Sequence, residues 1–366
     1  MEFVDRKTEI ERLRRILNGE SPCLVIVRGR RRLGKSTLIK RVLTDDDIYY
    51  EADKTDASNQ RSLLANVASL AFSGLDAANY PAWEALHLDA VETIEEYALW
   101  GGVPRYWVLR EKSGDKDKAL RENVLSSQGI LYEEPQRLFN DDLNDIVKIS
   151  TIMSLVGKGA TRLKEIAARC EEPATNLSRP IGKLIDLGYI ERDIPFGEST
   201  KSTKRSLYRI ADPFLSFHFR FVAPMRSFIE LERYAPVDAI LKEQMSNHIG
   251  GWWEKICRDA VSGNFIDGIM YGEARRWWGS VIVDGKPQDV ELDVVAESID
   301  RKSILIGECK WSVSENARLM TAKLSKIAEQ LHFTKDKNVV IKLFLKNNVE
   351  EPQGNHFLAE DVIKLY

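Results

Sequence analysis

The sequence predicts a multidomain α/β protein, and three stretches carry that expectation. Residues Gly29 to Ser36 read G-R-R-R-L-G-K-S between an apolar run, Leu24 to Val27, and a helix-like stretch from Thr37 to Leu43. Residues 145–225 give three short helical patterns and then two strand-like ones. Beyond residue 240 the strand patterns Val290–Ala296 and Ser303–Glu308 set Asp293, Glu308 and Lys310 in a D-(x14)-E-x-K spacing. With 366 residues, 43% hydrophobic and 30% charged, the chain is long enough for several ordinary cores.

At the N-terminus, Phe3 to Leu13 leads into a short amphipathic helix that stops near Gly19. The glycine-rich segment follows a strand and precedes a helix, the setting of a phosphate-binding loop. Its nucleotide-binding residues are Gly29, Arg30, Arg31, Arg32, Leu33, Gly34, Lys35, Ser36 and Thr37. Backbone N–H groups there cradle a β-phosphate, Lys35 reaches the β- and γ-phosphates, and the Ser36 hydroxyl ligates Mg²⁺. ATP and Mg²⁺ are the cofactors this implies. A second strand is expected over Asp47 to Ala52, then a helix from about Asn59 to Phe72 with Leu63, Leu64, Val67, Leu70 and Ala71 on one face.

An NTPase of this type also needs a strand ending in an acidic residue that organises the metal's water shell. None follows: Tyr80 to Leu99 is helical in character, and Asp89, Glu92, Glu95 and Glu96 do not end an apolar strand. The expectation is a truncated P-loop NTPase domain over 1–88, in which nucleotide binding outlasts hydrolysis.

A helical lid-like segment follows over 89–142, interrupted by Gly101-Gly102-Val103-Pro104-Arg105-Tyr106-Trp107. Residues 143–225 read as a winged helix-turn-helix. Asp145 to Val156 is its first helix, Thr161 caps the second, and Leu177, Ile181, Leu184, Ile185 and Leu187 line the third. Pro180 is expected to shorten that third helix. Tyr189 to Arg192 and Ser206 to Ile210 are its strands. The stretch 145–210 holds twelve basic against eight acidic residues, while the whole chain carries −3. Arg179 and Lys183 on the third helix, with Lys201, Lys204 and Arg205 at the wing, are the candidate DNA contacts.

Residues 226–366 form a further α/β domain: a helix from His248 to Val261, strands near Glu273–Trp277, Ser280–Val283, Val290–Ala296 and Ser303–Glu308, a helix over about Glu315–Phe333 and a strand at Asn338–Leu345. Alternate residues of a strand share a face, so Glu308 and Lys310 point together, and a hairpin brings Asp293 beside them. Asp293 and Glu308 would hold Mg²⁺ while Lys310 steadies the attacking water or the developing charge. Glu254, beside Trp252 and Trp253, adds a further carboxylate. An E-x-K triplet alone carries no weight, since about one is expected by chance in a chain this long. The competing reading of the triplet is a solvated charge pair on a sheet edge.

The remaining composition bounds the partners. Four cysteines, Cys23, Cys170, Cys257 and Cys309, lie far apart and read as buried free thiols of a reducing compartment. No signal peptide opens the sequence and no apolar run reaches the roughly 20 residues of a membrane span. A cytoplasmic location and no membrane partner are expected. A homo-oligomer or a protein partner stays open.

Taken in order, these pieces resemble the archaeal-type ATPase family, relatives of AAA+ proteins with a C-terminal domain of the PD-(D/E)xK nuclease superfamily. The resemblance rests on Phe3-Val4-Asp5-Arg6, the phosphate loop, Gly101 to Tyr106, Leu207-Tyr208-Arg209-Ile210-Ala211-Asp212-Pro213-Phe214-Leu215, Trp253-Glu254 and the Asp293/Glu308/Lys310 set. It implies a restriction-endonuclease-like α/β domain at 226–366 and a protein that joins ATP binding to nucleic acid. The chain departs from that pattern at Asp5, where relatives carry glycine, and between Leu86 and Asp89, where the metal-organising acid and sensor segments are lacking. Three functions compete: a nuclease-like protein acting on DNA, a nucleotide-responsive DNA-binding regulator that cuts nothing, and an inactive remnant.

Overall fold

A computed structural model describes residues 7–17, 35–44, 47–50, 60, 63–65, 67–68, 89–142, 145–199, 205–283, 285–312, 316–346 and 355–365. It is a mixed α/β protein in two compact units, residues 1–77 and 78–366.

In the first unit Lys7–Leu17 and Lys35–Lys40 are helices. Leu38, Val42, Ala65 and Ala68 are buried. Leu63, expected to face inward, is 43% exposed. It lies two residues, about 200°, round the helix from Ala65, so small residues rather than the leucine take the inner face. The expected strand at 47–52 is not formed at Asp47 to Tyr50. The Asp47 carboxylate instead accepts the Thr44 N–H at 2.7 Å and its hydroxyl at 2.8 Å, curling the chain into a turn. Gly29 to Gly34 lie outside the described residues, as do the side-chain surroundings of Lys35 and Ser36.

The second unit opens on four helices, Ala90–Trp100, Pro104–Ser113, Lys116–Asn123 and Glu134–Asp142. The Asp89 carboxylate caps the first by accepting the Glu92 N–H at 2.9 Å. Fully buried Glu96 accepts from Trp100 Nε1 at 2.8 Å and Arg110 Nε at 2.9 Å, so its charge is met by a guanidinium inside the core. Trp107 Nε1 donates to the Gly101 carbonyl at 2.8 Å and fixes the glycine corner between the first two helices.

Three further helices, Ile146–Gly157, Leu163–Arg169 and Ala174–Asp186, bury Ile149, Ile152, Met153, Ile166, Leu177, Ile181 and Leu184. Each ends in the same double backbone bond. After the third, Tyr189 N–H reaches the Leu184 carbonyl at 2.8 Å and Gly188 N–H the Ile185 carbonyl at 2.9 Å, with Gly188 at φ +75°. Three expectations are corrected here. Thr161 does not cap the second helix, because its carbonyl accepts the Tyr208 N–H at 2.7 Å and the helix starts after Arg162. Leu187 is exposed, since the helix ends one residue before it. Pro180 sits inside a 13-residue helix without shortening it; Asn176, whose carbonyl loses the i+4 partner, is exposed. Strands β1 (Ile190–Asp193) and β2 (Leu207–Ile210) then pair antiparallel, Ile190 opposite Ile210.

After the short helix Pro213–Phe217 and a π-helical turn, His218–Val222, the chain enters a long helix, Tyr234–Val261. It begins 14 residues before the expected His248, because Pro236 falls in its first turn, where no N–H is needed. A small hairpin, β3 (Phe265–Ile266) and β4 (Ile269–Met270), precedes a five-stranded sheet. Its strands run in the order β5 (Arg275–Val283), β6 (Lys286–Glu297), β7 (Ser303–Lys310), β8 (Asn338–Leu345) and β9 (His356–Leu358). The first three are antiparallel and the last three parallel. The two strands expected within 273–283 are one, since Gly279 stays paired with Val290. The helix expected over 315–333 is Ala317–Ala328 with a 3₁₀ turn at His332–Thr334. Met320, Leu324 and Ile327 of that helix pack on Leu292, Val295, Ile304, Ile306, Leu343 and Leu345, covering one sheet face. The long helix lies on the other face, where Trp253 Nε1 donates to the Phe344 carbonyl at 3.1 Å.

Candidate functional site

A β-bulge aims the first site residue. Between the pairs Arg275–Val295 and Trp277–Leu292, three steps along β6 oppose two along β5. Leu292 and Val295, an odd interval apart, therefore enter the same core face, leaving Asp293 and Val294 on the opposite one, towards the long helix. Asp293 Oδ2 accepts the Cys309 N–H at 2.9 Å, the peptide group between Glu308 and Lys310. Lys310 Nζ stands 2.9 Å from Glu308 Oε1. On the long helix, Arg258 Nη1 donates to the Asp293 carbonyl at 2.9 Å and lies 3.9 Å from Glu254 Oε2.

Burial raises the Asp293 carboxyl, and the charges of Glu254 and Glu308 carry it to about 7. Burial raises Glu254 too, against the pull of Arg276 and Arg258. For Arg276 burial acts downward, but Glu254, Glu291, Asp193 and Asp293 outweigh it and raise the group. Carboxylates held this close gain from a cation. Magnesium is bound through one or two carboxylates with water or substrate oxygens completing its shell, and Asp293 with Glu308 fits that donor set. Among the described residues no three His, Cys, Asp or Glu side chains converge as a ready-made metal nest.

Glu254, Cys309 and Lys310 border a polar cleft of about 700 Å³ that Thr161, Arg209, Arg220, Asn247 and Arg276 also line. The β1–β2 hairpin forms part of its wall because it is docked on the sheet. Phe196 N–H donates to the Arg276 carbonyl at 2.8 Å, and the Phe196 ring packs edge-on against Phe333 with centroids 5.2 Å apart. Of the ion pairs there, Arg276 to Asp193 at 3.7 Å crosses the junction, while Arg209 to Glu191 at 2.6 Å and to Asp193 at 3.5 Å lie within the hairpin and Arg276 to Glu291 within the sheet.

The remaining sequence-derived residues are scattered. Arg205 is ion-paired with Glu198 within the hairpin connection, and Lys201 and Lys204 lie outside the described residues. Arg179 and Lys183 are exposed and border a different hollow, of about 600 Å³, with Asp145, Lys148 and Asp186. In the first unit Thr37 is exposed on the helix that starts at Lys35. Cys257 and Cys309 are buried free thiols; Cys170 is only half-buried, and Cys23 lies outside the described residues. Sequence reading missed Arg258, Arg276, Arg209 and Arg220. Arg258 was detectable as the i+4 neighbour of Glu254 on one helix face. No local pattern marks Arg220.

Residues 218–322 match a family, DUF234, described as archaea bacterial proteins of unknown function. That span contains Arg220, Glu254, Asp293, Glu308 and Lys310. Over 223 residues the chain is 26% identical to an uncharacterized protein of Methanocaldococcus jannaschii, covering 60% of this chain and 48% of that protein. The chain thus spans about half the length of the curated relative it matches. No solved structure matches it. No helix among the described residues is long and apolar enough to cross a membrane.

Proposed function

We propose that this chain is a nucleotide-binding protein of the archaeal-type ATPase kind that acts on nucleic acid, with a metal-dependent, nuclease-like site at Asp293, Glu308 and Lys310. The observation that carries the reading is the tie between Asp293 and the Cys309 N–H, which brings Asp293 from a neighbouring strand to the Glu308/Lys310 pair. Asp293 and Glu308 are the residues that would hold Mg²⁺. Bound there, the ion supplies Lewis-acid stabilisation of a phosphoryl oxygen and lowers the pKa of a bound water. Cys309 N–H orients the Asp293 carboxylate, Arg258 fixes its backbone, and Lys310 holds positive charge where a phosphodiester gains negative charge. Glu254 adds negative potential from the long helix. The three helices over 146–186 followed by the β1–β2 hairpin support the winged-helix reading. Nucleotide binding rests on the Gly29–Ser36 sequence and on a helix that begins at Lys35.

A second reading, a regulator that binds DNA without cutting, is favoured by Arg179 and Lys183, which stay exposed on the third helix. Cleavage of plasmid and single-stranded DNA, with Mg²⁺ or Mn²⁺ and with or without ATP, decides between them. The expected result is metal-dependent cleavage by the wild type that disappears in Asp293→Asn and in Glu308→Gln. Full-rate cleavage by both variants would place the active site elsewhere, and no cleavage with any metal would favour the regulator. A fluorescent ATP analogue is expected to bind the wild type and not Lys35→Ala, with slow turnover because the metal-organising acid is lacking.

A further inference from the structure

Arginines of the second unit are, as a rule, answered by carboxylates: Arg110 by Glu96, Arg209 by Glu191 and Asp193, Arg226 by Glu133 and Glu230, and Arg276 by Asp193 and Glu291. Among the described residues Arg162, Arg179, Arg233 and Arg301 also form no ion pair, but they are exposed; Arg220 is half-buried. It lines the cleft that holds Lys310 and Glu254, and among the described residues it forms no ion pair. Its contacts are neutral: Nη2 donates to Asn247 Oδ1 at 2.8 Å, and the guanidinium lies 5.3 Å from the Phe221 ring centroid. The side chain is half-buried, and burial pulls its pKa down with no opposing carboxylate. Glu243, in the same cleft, does not pair with it. A desolvated cation facing a polar cleft without a counter-charge gains from an anion.

The surroundings fit a chain-like anion. Asn247 and Glu254 are seven residues apart on the long helix, two turns along one face and about 10 Å by helical rise. Measured along a duplex axis, at 3.4 Å per nucleotide of one strand, that interval covers about three nucleotides. Between them lie Gly250 and Gly251, residues unfavourable in a helix interior. Both line the cleft, and a Cβ on Gly251 would meet nothing within 4 Å. The helix is bare where a strand would lie against it. Arg220 itself projects from a π-helical turn, a distortion that recurs at functional positions.

We infer that Arg220 is a phosphate-binding subsite that grips the backbone of a nucleic-acid strand beside the Asp293/Glu308/Lys310 site. The inference rests on the nuclease-like reading of that site for its substrate class, but its test does not require cleavage.

The experiment measures anisotropy of a fluorescein-labelled 12-nucleotide single-stranded DNA bound to the full chain in EDTA, over a salt series. Wild type, Arg220→Gln, Arg220→Lys, Gly251→Leu and Asp293→Asn are compared, with circular dichroism and thermal melts to verify folding. The expected result is about tenfold weaker binding for Arg220→Gln, with the log–log salt slope reduced by about 0.7, one phosphate contact on a single strand. Arg220→Lys should fall between, since it keeps charge but loses the planar fork. Gly251→Leu, which gains helix propensity and fills the bare stretch, should weaken binding while folding normally. Inorganic phosphate competing at millimolar concentration against wild type but not Arg220→Gln would assign the site to free phosphate, and would overturn the strand reading if the oligonucleotide affinity of the two were equal. Unchanged affinity and salt slope in folded Arg220→Gln overturns the inference even where Asp293→Asn abolishes cleavage. A loss at Arg220 in a protein that never cuts leaves the subsite standing and removes the nuclease reading.

Discussion

Asp293 is held by three different forces. Its Oδ2 is fixed by the Cys309 N–H, its carbonyl by Arg258, and its charge is opposed by Glu254 and Glu308. Lys310 stands against Glu308 and contributes charge without being able to ligate a cation. These roles separate experimentally. Mg²⁺ is expected to raise the melting temperature of the wild type and of Lys310→Ala, because the carboxylates persist in both, and to leave Asp293→Asn unshifted. Cleavage should fall by about two to three orders of magnitude in Lys310→Ala, the scale of removing one preorganised electrostatic contact. Differential scanning fluorimetry against a Mg²⁺ series checks the first statement; a Lys310→Ala protein that no longer responds to Mg²⁺ would contradict it.

At the scale of elements, the β1–β2 hairpin decides how the helical segment and the sheet share a wall. A free wing would present its basic residues to phosphate. Here Phe196 is pinned to Arg276 and Phe333, and Arg205 is spent on Glu198. Phe196→Ala should destabilise the chain by about 2 kcal/mol, below the roughly 3–5 kcal/mol of a fully buried phenylalanine because this ring is only partly enclosed. Arg205→Ala should change DNA affinity less than Arg179→Ala with Lys183→Ala, since the latter pair is exposed on the third helix. Denaturant melts and a binding titration with its salt slope measure both; a larger loss at Arg205 than at the helix pair would return the wing to a phosphate-contact role.

Over the whole molecule, buried titratable groups set a pH window. Burial lowers His218 to about 3 and His248 to about 4, the latter despite its Nε2 contact with the Ala98 carbonyl at 2.9 Å. Burial raises Asp212 to about 6, against the N–H groups of Leu215 and Phe214. The signs differ. Below pH 6.5 the unfolded chain protonates both histidines and the folded chain does not, so each removes stability as pH falls. Asp212 binds its proton first in the folded state, between about 6 and 3.8, and returns stability over that range. Asp293, raised to about 7, and Glu254, also raised by burial, return stability in the same sense as Asp212, so the two losses are offset and the wild-type profile stays close to level between pH 6 and 4. Thermal melts from pH 6 to pH 4.5 should therefore separate by variant: Asp212→Asn, which loses one gain, should decline by about 1.4 kcal/mol per pH unit more than the wild type. His218→Phe, which also removes a buried Nδ1 lacking a hydrogen-bond partner, should shift the profile the opposite way, gaining stability relative to the wild type as pH falls. Parallel profiles for the wild type, Asp212→Asn and His218→Phe would refute the assignment.

The sequence by itself determined the local order of the second unit. The helix read over Asp145 to Val156, the Leu177/Ile181/Leu184 stripe and the β7 and β8 strands follow from near-neighbour periodicity, and all are present, the first with Asp145 as its cap. It also named Asp293, Glu308 and Lys310 as one set from a strand spacing. What it could not contain were relations between residues far apart along the chain. The bulge that turns Asp293 depends on the β5 register, and Pro180 survives inside its helix because a three-helix core holds that helix. The hairpin's commitment to the sheet, and Arg220 standing without a counter-charge, exist only once residues 196, 220, 247, 276 and 333 share one neighbourhood. Periodicity is written every two to four residues; register, desolvation and charge compensation are sums over the packed molecule, and only the tertiary structure fixes their terms.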